Sequence, residues 1–399
     1  MPGTGQTYVI AGAGISGLAL ALALAKFGAT VVVLERQPAL QEFGAGLQIS
    51  PNARHVLNQL GLDAALSGVS FEPAALDVYR QRAMAPLVSL DLGRAVTERF
   101  DAPYAVMHRA DLANILYKAC RRFANVDILF GIRQWDVVSH ARGVTVSVDE
   151  ASGQSRTIRA RAFIGADGVH SQTRQGVLDG GAPQFGDRLA WRTLISMDSA
   201  AGQIATDRVS VFLGRGFHLV CYPLPHRRQV NLALFQPSRL PESAGQPRLG
   251  RVGPRVRTLL AAAGSSWSAW PLYTVRQRAW SKGNIGIIGD AAHAMVPFQA
   301  QGAAMGIEDA AVLAPLLVGT GHAEQALADF ANIRQSRVSK VAALSVSNGR
   351  IFHLGWPASM ARDLVMRLQG RQAHLRRLGW IYGHRANLEW PAKRDQADP

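Results

Sequence analysis

Residues 284–310 read NIGIIGDAAHAMVPFQAQGAAMGIEDA. Ile285, Ile287 and Ile288 make a short apolar strand with Asp290 at its C-terminal end. Pro297 stiffens the loop that follows. Gln301 and Gly302 then open an alanine-rich helix that carries Leu313, Leu316 and Leu317 further along. Open α/β sheets bind ligands outside the carboxyl ends of their strands. A helix start adds unpaired N–H groups and a partial positive charge. The stretch is therefore suited to an anion, including a reduced, negatively charged ring system. Alone it would equally describe an ordinary strand-to-helix turn, and two further runs decide the matter.

The first of these lies near the N-terminus. Residues 7–11 predict a strand, 18–27 a helix, and 30–34 a second strand ending at Glu35. Between the first strand and the helix stands Gly12-Ala13-Gly14-Ile15-Ser16-Gly17. Gly12 permits a tight turn, Gly14 lets a pyrophosphate approach the backbone, and Gly17 lets helix and strand pack closely. The helix start faces the phosphates, and Glu35 is placed to accept hydrogen bonds from a ribose hydroxyl. A lone glycine fingerprint is weak evidence; this one has its strand, helix, second strand and acid in place. The other run is Gly165-Ala166-Asp167-Gly168-Val169-His170-Ser171, followed by Arg174. An acid between glycines at a strand end suggests nucleotide contact. The competing reading is a glycine-rich loop with a helix capped by Ser171.

Further signals fall between these runs. Gly44-Ala45-Gly46-Leu47-Gln48 predicts a loop with close backbone approach to something flat, or a flexible connection. Ser50-Pro51 starts a helix through Leu60, with Gly61 past its end. Arg109 enters a helix that Asp111 is expected to cap, and it is either a phosphate or ribityl contact or a plain surface arginine. Strands are expected at 76–79, 87–92, 126–130, 135–138, 144–148 and 156–164. A β-rich region follows at 191–235. Within Phe217-His218-Leu219-Val220-Cys221-Tyr222, alternation puts His218, Val220 and Tyr222 on one face and Cys221 on the other. Two hydrogen-bonding side chains on one apolar strand face are either site residues or a half-buried pair satisfied by backbone. Residues 270–275 predict a strand returning to the first domain. Helices are expected at 323–352 and 358–368, and 387–399 reads as a loose tail.

With 399 residues, 48% of them hydrophobic, two closely joined domains are expected. The formal net charge is +15, yet Lys26, Lys118, Lys282, Lys340 and Lys393 are the only lysines. The arginines are scattered over many segments and form no stripe with interleaved aromatics, which speaks against a nucleic-acid partner. Two cysteines, Cys120 and Cys221, give no disulfide framework and no metal spacing. No basic n-region of a signal peptide opens the chain. The uncharged run 8–25 reads as strand, turn and helix and not as a membrane span. The expectation is a soluble cytoplasmic protein, monomer or homodimer, with no metal.

The three glycine-containing runs together resemble the single-component FAD-dependent aromatic hydroxylases of the para-hydroxybenzoate hydroxylase fold. The resemblance covers nearly the whole chain and is closest to the branch of salicylate hydroxylase, 3-hydroxybenzoate 6-hydroxylase and 6-hydroxynicotinate 3-monooxygenase. It implies an α/β fold: a Rossmann-like FAD-binding domain (1–180 and 270–350), an inserted β-sheet substrate domain (181–269, with part of 70–105 on the substrate side), and C-terminal helices and tail (351–399). FAD would be held by Gly12, Gly14, Ser16 and Gly17 at the pyrophosphate and by Glu35 and Arg36 at the ribose. Gly46 and Leu47 would lie beside the flavin, Arg109 and Asp290 at the ribityl-phosphate region, and Asp167 at the middle motif. Pro297 would border the isoalloxazine, with the amides of Gln301, Gly302 and Ala303 at its pyrimidine edge. Leu47, Val220, Pro297, Phe298 and Gln299 would line the substrate pocket.

The implied reaction is hydroxylation of a small phenolic or hydroxylated heteroaromatic acid by O2 through a flavin C4a-hydroperoxide, with or without decarboxylation. NAD(P)H, NADH by preference, would reduce the FAD. Deprotonating a ring hydroxyl calls for a base with a pKa near neutrality, for which His218 is the first candidate, with Tyr222 positioning the same hydroxyl. The alternatives are a flavin monooxygenase or epoxidase of a larger polycyclic substrate, and an FAD reductase that inserts no oxygen.

Overall fold

The computed structural model describes residues 1–41, 46–241 and 245–388, without the side chains of 369–372. Gly44 and Ala45, and most of the expected tail, lie outside the described residues. The valine- and isoleucine-rich runs of the first region build a six-stranded sheet. Its order is Ser281–Lys282, Ile285–Ile287, Ala162–Gly165, Thr7–Ala11, Thr30–Leu34, Val126–Leu129. All neighbours pair in parallel except the short antiparallel edge at Ser281–Lys282. Strands buried on both faces read as near-continuous apolar runs, as TYVIA and TVVVL do. The helices Ile15–Lys26 and Gly302–Gly319 pack together in the large core of this region. Gly302–Gly319 is long and apolar enough to cross a membrane, but 72% of it is buried inside the protein, as in a core helix.

A second, seven-stranded sheet runs in the order Ser268–Thr274, Gln184–Ser196, Gln229–Pro237, Phe217–Leu224, Arg208–Gly214, Ala75–Arg80, Val88–Asp91. One face carries Phe212, Leu219, Cys221 and Leu232 onto the Pro254–Ala263 helix, forming a separate core. The other face is turned towards the first region. The alternation read at 217–222 holds: Cys221 enters the separate core, while His218, Val220 and Tyr222 line a cavity on the opposite side.

Several expectations need correction. Residues 156–164 are not one strand. The chain breaks into Ser155–Ala160, in a three-stranded sheet with Ile132–His140 and Gly143–Glu150, and Ala162–Gly165, in the parallel sheet. At the break, Arg161 N–H donates to the Thr7 carbonyl at 2.8 Å, and the strand changes partners there. Ser268–Thr274 does not return to the parallel sheet but pairs antiparallel with Gln184–Ser196. Asp111 does not cap the Arg109–Cys120 helix. His108 does, its Nδ1 accepting from Ala110 N–H at 3.2 Å, while Asp111 is held by His226 at 2.7 Å and Arg227 at 2.5 Å. Gly46–Ile49 is a strand paired with Ala105–His108 and not a loop. Ser50 stands at the start of Pro51–Gln59, but its hydroxyl donates to Asn52 Oδ1 and leaves the backbone uncapped. The last helix is longer than expected, Ala358–Tyr382, and takes in Trp380, Ile381 and Tyr382.

Candidate active site

The sheet order explains why three distant runs act together. Thr7–Ala11, Ala162–Gly165 and Ile285–Ile287 are consecutive neighbours, so the loops after them open side by side. Chain connections leave the Thr7–Ala11 strand towards Thr30–Leu34 on one side and meet Ala162–Gly165 on the other, which makes this edge a topological switch point. Gly12 has φ 106°, a conformation that favours glycine, and a Cβ there would lie 2.5 Å from the Ala166 carbonyl oxygen. Gly12→Ala is accordingly expected to cost the chain its flavin, read as the ratio of flavin to protein absorbance after gel filtration.

The loops frame a cavity of about 1300 Å³ that reaches across to the seven-stranded sheet. Gly14, Ser16, Arg109, Asp290, Pro297 and Gly302 all line it. Two helix starts open onto it without side-chain caps, Gly14 before Ile15–Lys26 and Gln301 before Gly302–Gly319. Uncapped N–H groups converging on one space fit the pyrophosphate and the electron-rich ring edge of FAD. The residues present therefore fit the group.

Other expected cofactor contacts are committed locally. Glu35 accepts from Ala13 N–H at 2.9 Å and from Gln37 N–H at 2.8 Å, which ties it to the glycine loop. Arg36 beside it is exposed. Asp167 accepts from the Ser171 hydroxyl at 2.5 Å and from the Thr173 N–H and hydroxyl, both at 2.9 Å. It holds its own loop in shape, while its neighbours Ala166, Gly168 and Val169 line the cavity. Arg174 is fully buried and staples three loops by donating to the carbonyls of Val169, Gly181 and Ala291 at 2.7, 2.9 and 2.8 Å.

The Gln301 side chain points away from the cavity into a buried polar network. It donates to Ser50 Oγ at 2.8 Å and accepts from Asn52 Nδ2 at 3.0 Å. Asn52 also donates to Glu308 at 2.7 Å. Glu308 and Asp309 are both clasped by Arg334, at 2.6 and 2.8 Å, and Glu308 also by Arg337 at 2.7 Å. Burial would raise the Asp309 carboxyl, but His293 and Arg334 overcome it and hold the group at about 2. Asp309 further accepts from Gly289 N–H at 2.9 Å, so the network fixes the 284–310 run at both its strand and its helix.

On the opposite wall, register sets one row across the sheet. Arg192, Ala233, Val220, Val211, Val78 and Val88 are successive partners, and all line the cavity. Flanking rows pair His218 with Phe235 and Tyr222 with Asn231. Arg192 is the one charge in an apolar row. It has no ion pair among the described residues, and its Nε and Asn231 Nδ2 are buried without hydrogen-bond partners. Burial lowers the Arg192 guanidinium from its ordinary value. Burial likewise raises the Tyr222 hydroxyl, which stays protonated. A Cβ on Gly46 would collide with the Tyr222 ring, and Gly46 N–H donates to Asn231 Oδ1 at 2.7 Å. The two walls therefore meet at this glycine.

His218 is 2% exposed, stacked on Phe235 at 4.6 Å and edge-on to Phe298 and Phe352, each at 5.3 Å. Its Nδ1 lies 2.7 Å from His353 Nε2. Burial first, then His353 and Arg188, hold the imidazole well below the ordinary histidine range. A base near neutrality, as the sequence suggested for His218, does not match this environment. Phe298 packs on His218, while Gln299 accepts from Asn348 Nδ2 at 2.6 Å. Sequence reading missed Arg192, Asn231, Arg188 and His353. Arg192 was findable: an arginine within LAWRTLI interrupts an otherwise apolar strand. His353, at the end of the Ala323–Phe352 helix, carries no local signal.

The family described as FAD binding domain matches residues 6–193 and 257–345. The chain is 32% identical over 391 residues to 3-hydroxybenzoate 6-hydroxylase 1 of Aquipseudomonas alcaligenes, covering 95% of this chain and 98% of the relative. It is 28% identical to 6-hydroxynicotinate 3-monooxygenase of Bordetella bronchiseptica, over 87% of this chain and 92% of the relative. Its fold matches that of Klebsiella pneumoniae HpxO complexed with FAD and uric acid at a TM-score of 0.81 and 21% identity, with 94% and 95% of the two chains covered. With three glycine-containing loops side by side at one sheet edge, opening on a cavity that the second sheet closes, this chain belongs to the FAD-dependent aromatic hydroxylases.

Proposed function

We propose that this protein is an NAD(P)H-consuming monooxygenase that hydroxylates a small hydroxylated aromatic or heteroaromatic acid, with NADH as the first donor to test. The observation that carries the reading is the sheet face opposite Pro297 and Gly302. It presents one half-buried cation, Arg192, between the His218 and Tyr222 rows on a largely apolar wall. An unpaired guanidinium fits a substrate carboxylate. His218 and Tyr222 fit the ring hydroxyl, and the apolar row fits the ring itself. Bound FAD would take electrons from the nicotinamide and deliver one oxygen atom of O2 to the ring.

The chain's own groups would divide the remaining work. Gly12, Gly14, Ser16 and Gly17 hold the pyrophosphate, Glu35 and Arg36 the ribose, and Arg109 and Asp290 the ribityl-phosphate region. Asp167 shapes the middle loop from behind. The start of the Gly302–Gly319 helix stabilises negative charge at the ring edge, while Pro297, Phe298, Leu47 and Val220 exclude water. Whether the carboxylate leaves during the reaction depends on which carbon faces the flavin.

Anaerobic reduction by NADH, followed at the flavin absorbance with a panel of hydroxylated benzoates and nicotinates, tests the reading. A large acceleration by one compound is expected; equal rates with all would count against it. Arg192→Gln is expected to raise KM for the accelerating acid by about 10–100-fold, with a smaller change in kcat, because a hydrogen bond to a charged group contributes about 1.5–3 kcal/mol. A second reading, a larger polycyclic substrate, is favoured by the apolar extension of the cavity between Val88–Asp91 and the C-terminal helices, lined by Leu76, Leu90, Ile351, Leu375 and Leu378. Bulkier phenols in the same panel separate the two.

A further inference from the structure

Behind His218 stands a chain of donors that runs in one direction. Arg188, on the Gln184–Ser196 strand, donates from Nη1 to His353 Nδ1 at 2.6 Å. A guanidinium has no acceptor. His353 Nδ1 therefore carries the lone pair, and the single proton of the neutral ring sits on Nε2. That nitrogen lies 2.7 Å from His218 Nδ1, which must then accept, leaving the His218 proton on Nε2. The tautomers follow from one residue that can only give. His353 is itself fixed, since its carbonyl accepts from Gly216 N–H at 3.2 Å and its ring lies 5.7 Å from Phe298.

We propose that Arg188 and His353 are positioning residues that lock His218 as a neutral Nε2–H donor, so that the site binds the substrate's ring oxygen as an acceptor, a phenolate or a pyridone-type oxygen, and His218 does not take its proton. The proposal rests on the functional reading above and specifies its substrate: a ring hydroxyl acidic enough to arrive ionised, or an oxygen that carries no proton. The chain ends at an arginine, so it offers a proton no route out of the cavity.

The surroundings support a ring that does not titrate. Facing the two imidazoles are Arg188 from the sheet, Phe298 from the 297–299 loop and Phe352 from the helix end. Arg192 and Tyr222 lie on the same cavity wall. Arg362 donates to the Phe352 carbonyl at 3.1 Å, and Asp363 nearby is taken up by Arg80 and Arg362. Asp187 acts on Arg188 from outside. Among the described residues no carboxylate bonds either ring. An imidazolium at His353 would aim an N–H at Arg188, and burial with Arg188 pushes that ring down to about 3.

Nitrogen NMR of the FAD-loaded, histidine-labelled chain reads the tautomers directly, with His218→Gln and His353→Gln assigning the signals. The expected result is a protonated Nε2 and bare Nδ1 at His218, unchanged from pH 5 to pH 9. Arg188→Met is expected to bring one imidazole ionisation into that range. His353→Gln is expected to preserve the order, because a carboxamide accepts from Arg188 and donates to His218, whereas His353→Leu is expected to break it. Binding of 6-hydroxynicotinate, whose ring oxygen is a pyridone carbonyl throughout this range, followed by its perturbation of the flavin absorbance, should be flat with pH in the wild type and His353→Gln. It should change at least about threefold across the range in Arg188→Met and His353→Leu, as expected for a histidine that regains an ordinary pKa. A proton on Nδ1 of His218, an ionisation between pH 5 and pH 8 in the wild type, or a flat Arg188→Met would overturn the proposal. If Arg188→Met fails to fold, His353→Leu decides it. Failure of 6-hydroxynicotinate to bind would count against the substrate reading and leave the NMR result to judge the chain.

Discussion

Hydroxylation by His218→Ala is expected to fall by about 10²–10³, the loss typical of removing one preorganised donor to a developing anion, while FAD stays bound. The imidazole is buried, stacked on Phe235 and hydrogen-bonded on one side only within the protein, so its other nitrogen is the donor left for the cavity. Water entering the space of the missing ring can replace the donor but not its fixed direction. The loops proposed to hold FAD belong to the other sheet, and the flavin-to-protein ratio should be unchanged. His218→Gln, which keeps an N–H, should recover part of the rate. Rapid-quench measurement of product against flavin reoxidation separates this loss from slower flavin reduction. Turnover like that of the wild type in His218→Ala would remove this residue from the site.

Arg334→Met is expected to destabilise the whole chain by roughly 3–5 kcal/mol, the usual cost of breaking a buried ion pair from one side. Arg334 is fully buried, and so are both carboxylates it clasps. Its loss leaves Asp309 with His293 and Gly289 N–H, and Glu308 with Arg337 and Asn52. Urea unfolding followed by tryptophan fluorescence measures the effect. Arg337→Met should cost less, because Arg337 is nearer the surface and Arg334 still serves Glu308. The same network sets an acid limit. The Asp309 carboxyl is depressed from 3.8 to about 2 in the folded chain. A depressed carboxyl contributes stability above its unfolded pKa and loses it as pH falls through the folded one. That contribution, roughly 2 kcal/mol at 1.36 kcal/mol per unit, should therefore disappear between about pH 4 and pH 2. A midpoint for Arg334→Met equal to the wild type would show that the network is dispensable.

Local chemistry by itself determined much of this protein. The strands at 7–11, 30–34 and 285–287, the Gly12 turn, the helix opening at Gly302 and the shared face of His218, Val220 and Tyr222 depend on residues within a few positions of one another. Periodicity and glycine placement act at that range, so the elements that open side by side on the cavity were legible. Tertiary structure alone decided the rest. A strand's sheet is chosen by hydrogen-bond partners far away in the chain, so 156–164 divided between two sheets and 268–274 joined the second. Asp167 looked like a ligand contact, yet its side chain is spent on neighbouring polar groups, and the Gln301 side chain turns into a buried network while its backbone stays at the helix start, because burying such side chains unpaired would be costly. The protonation of His218 is set by His353 and Arg188, 135 residues later and 30 residues earlier in the chain, and a sequence cannot show which way a proton points across such a distance.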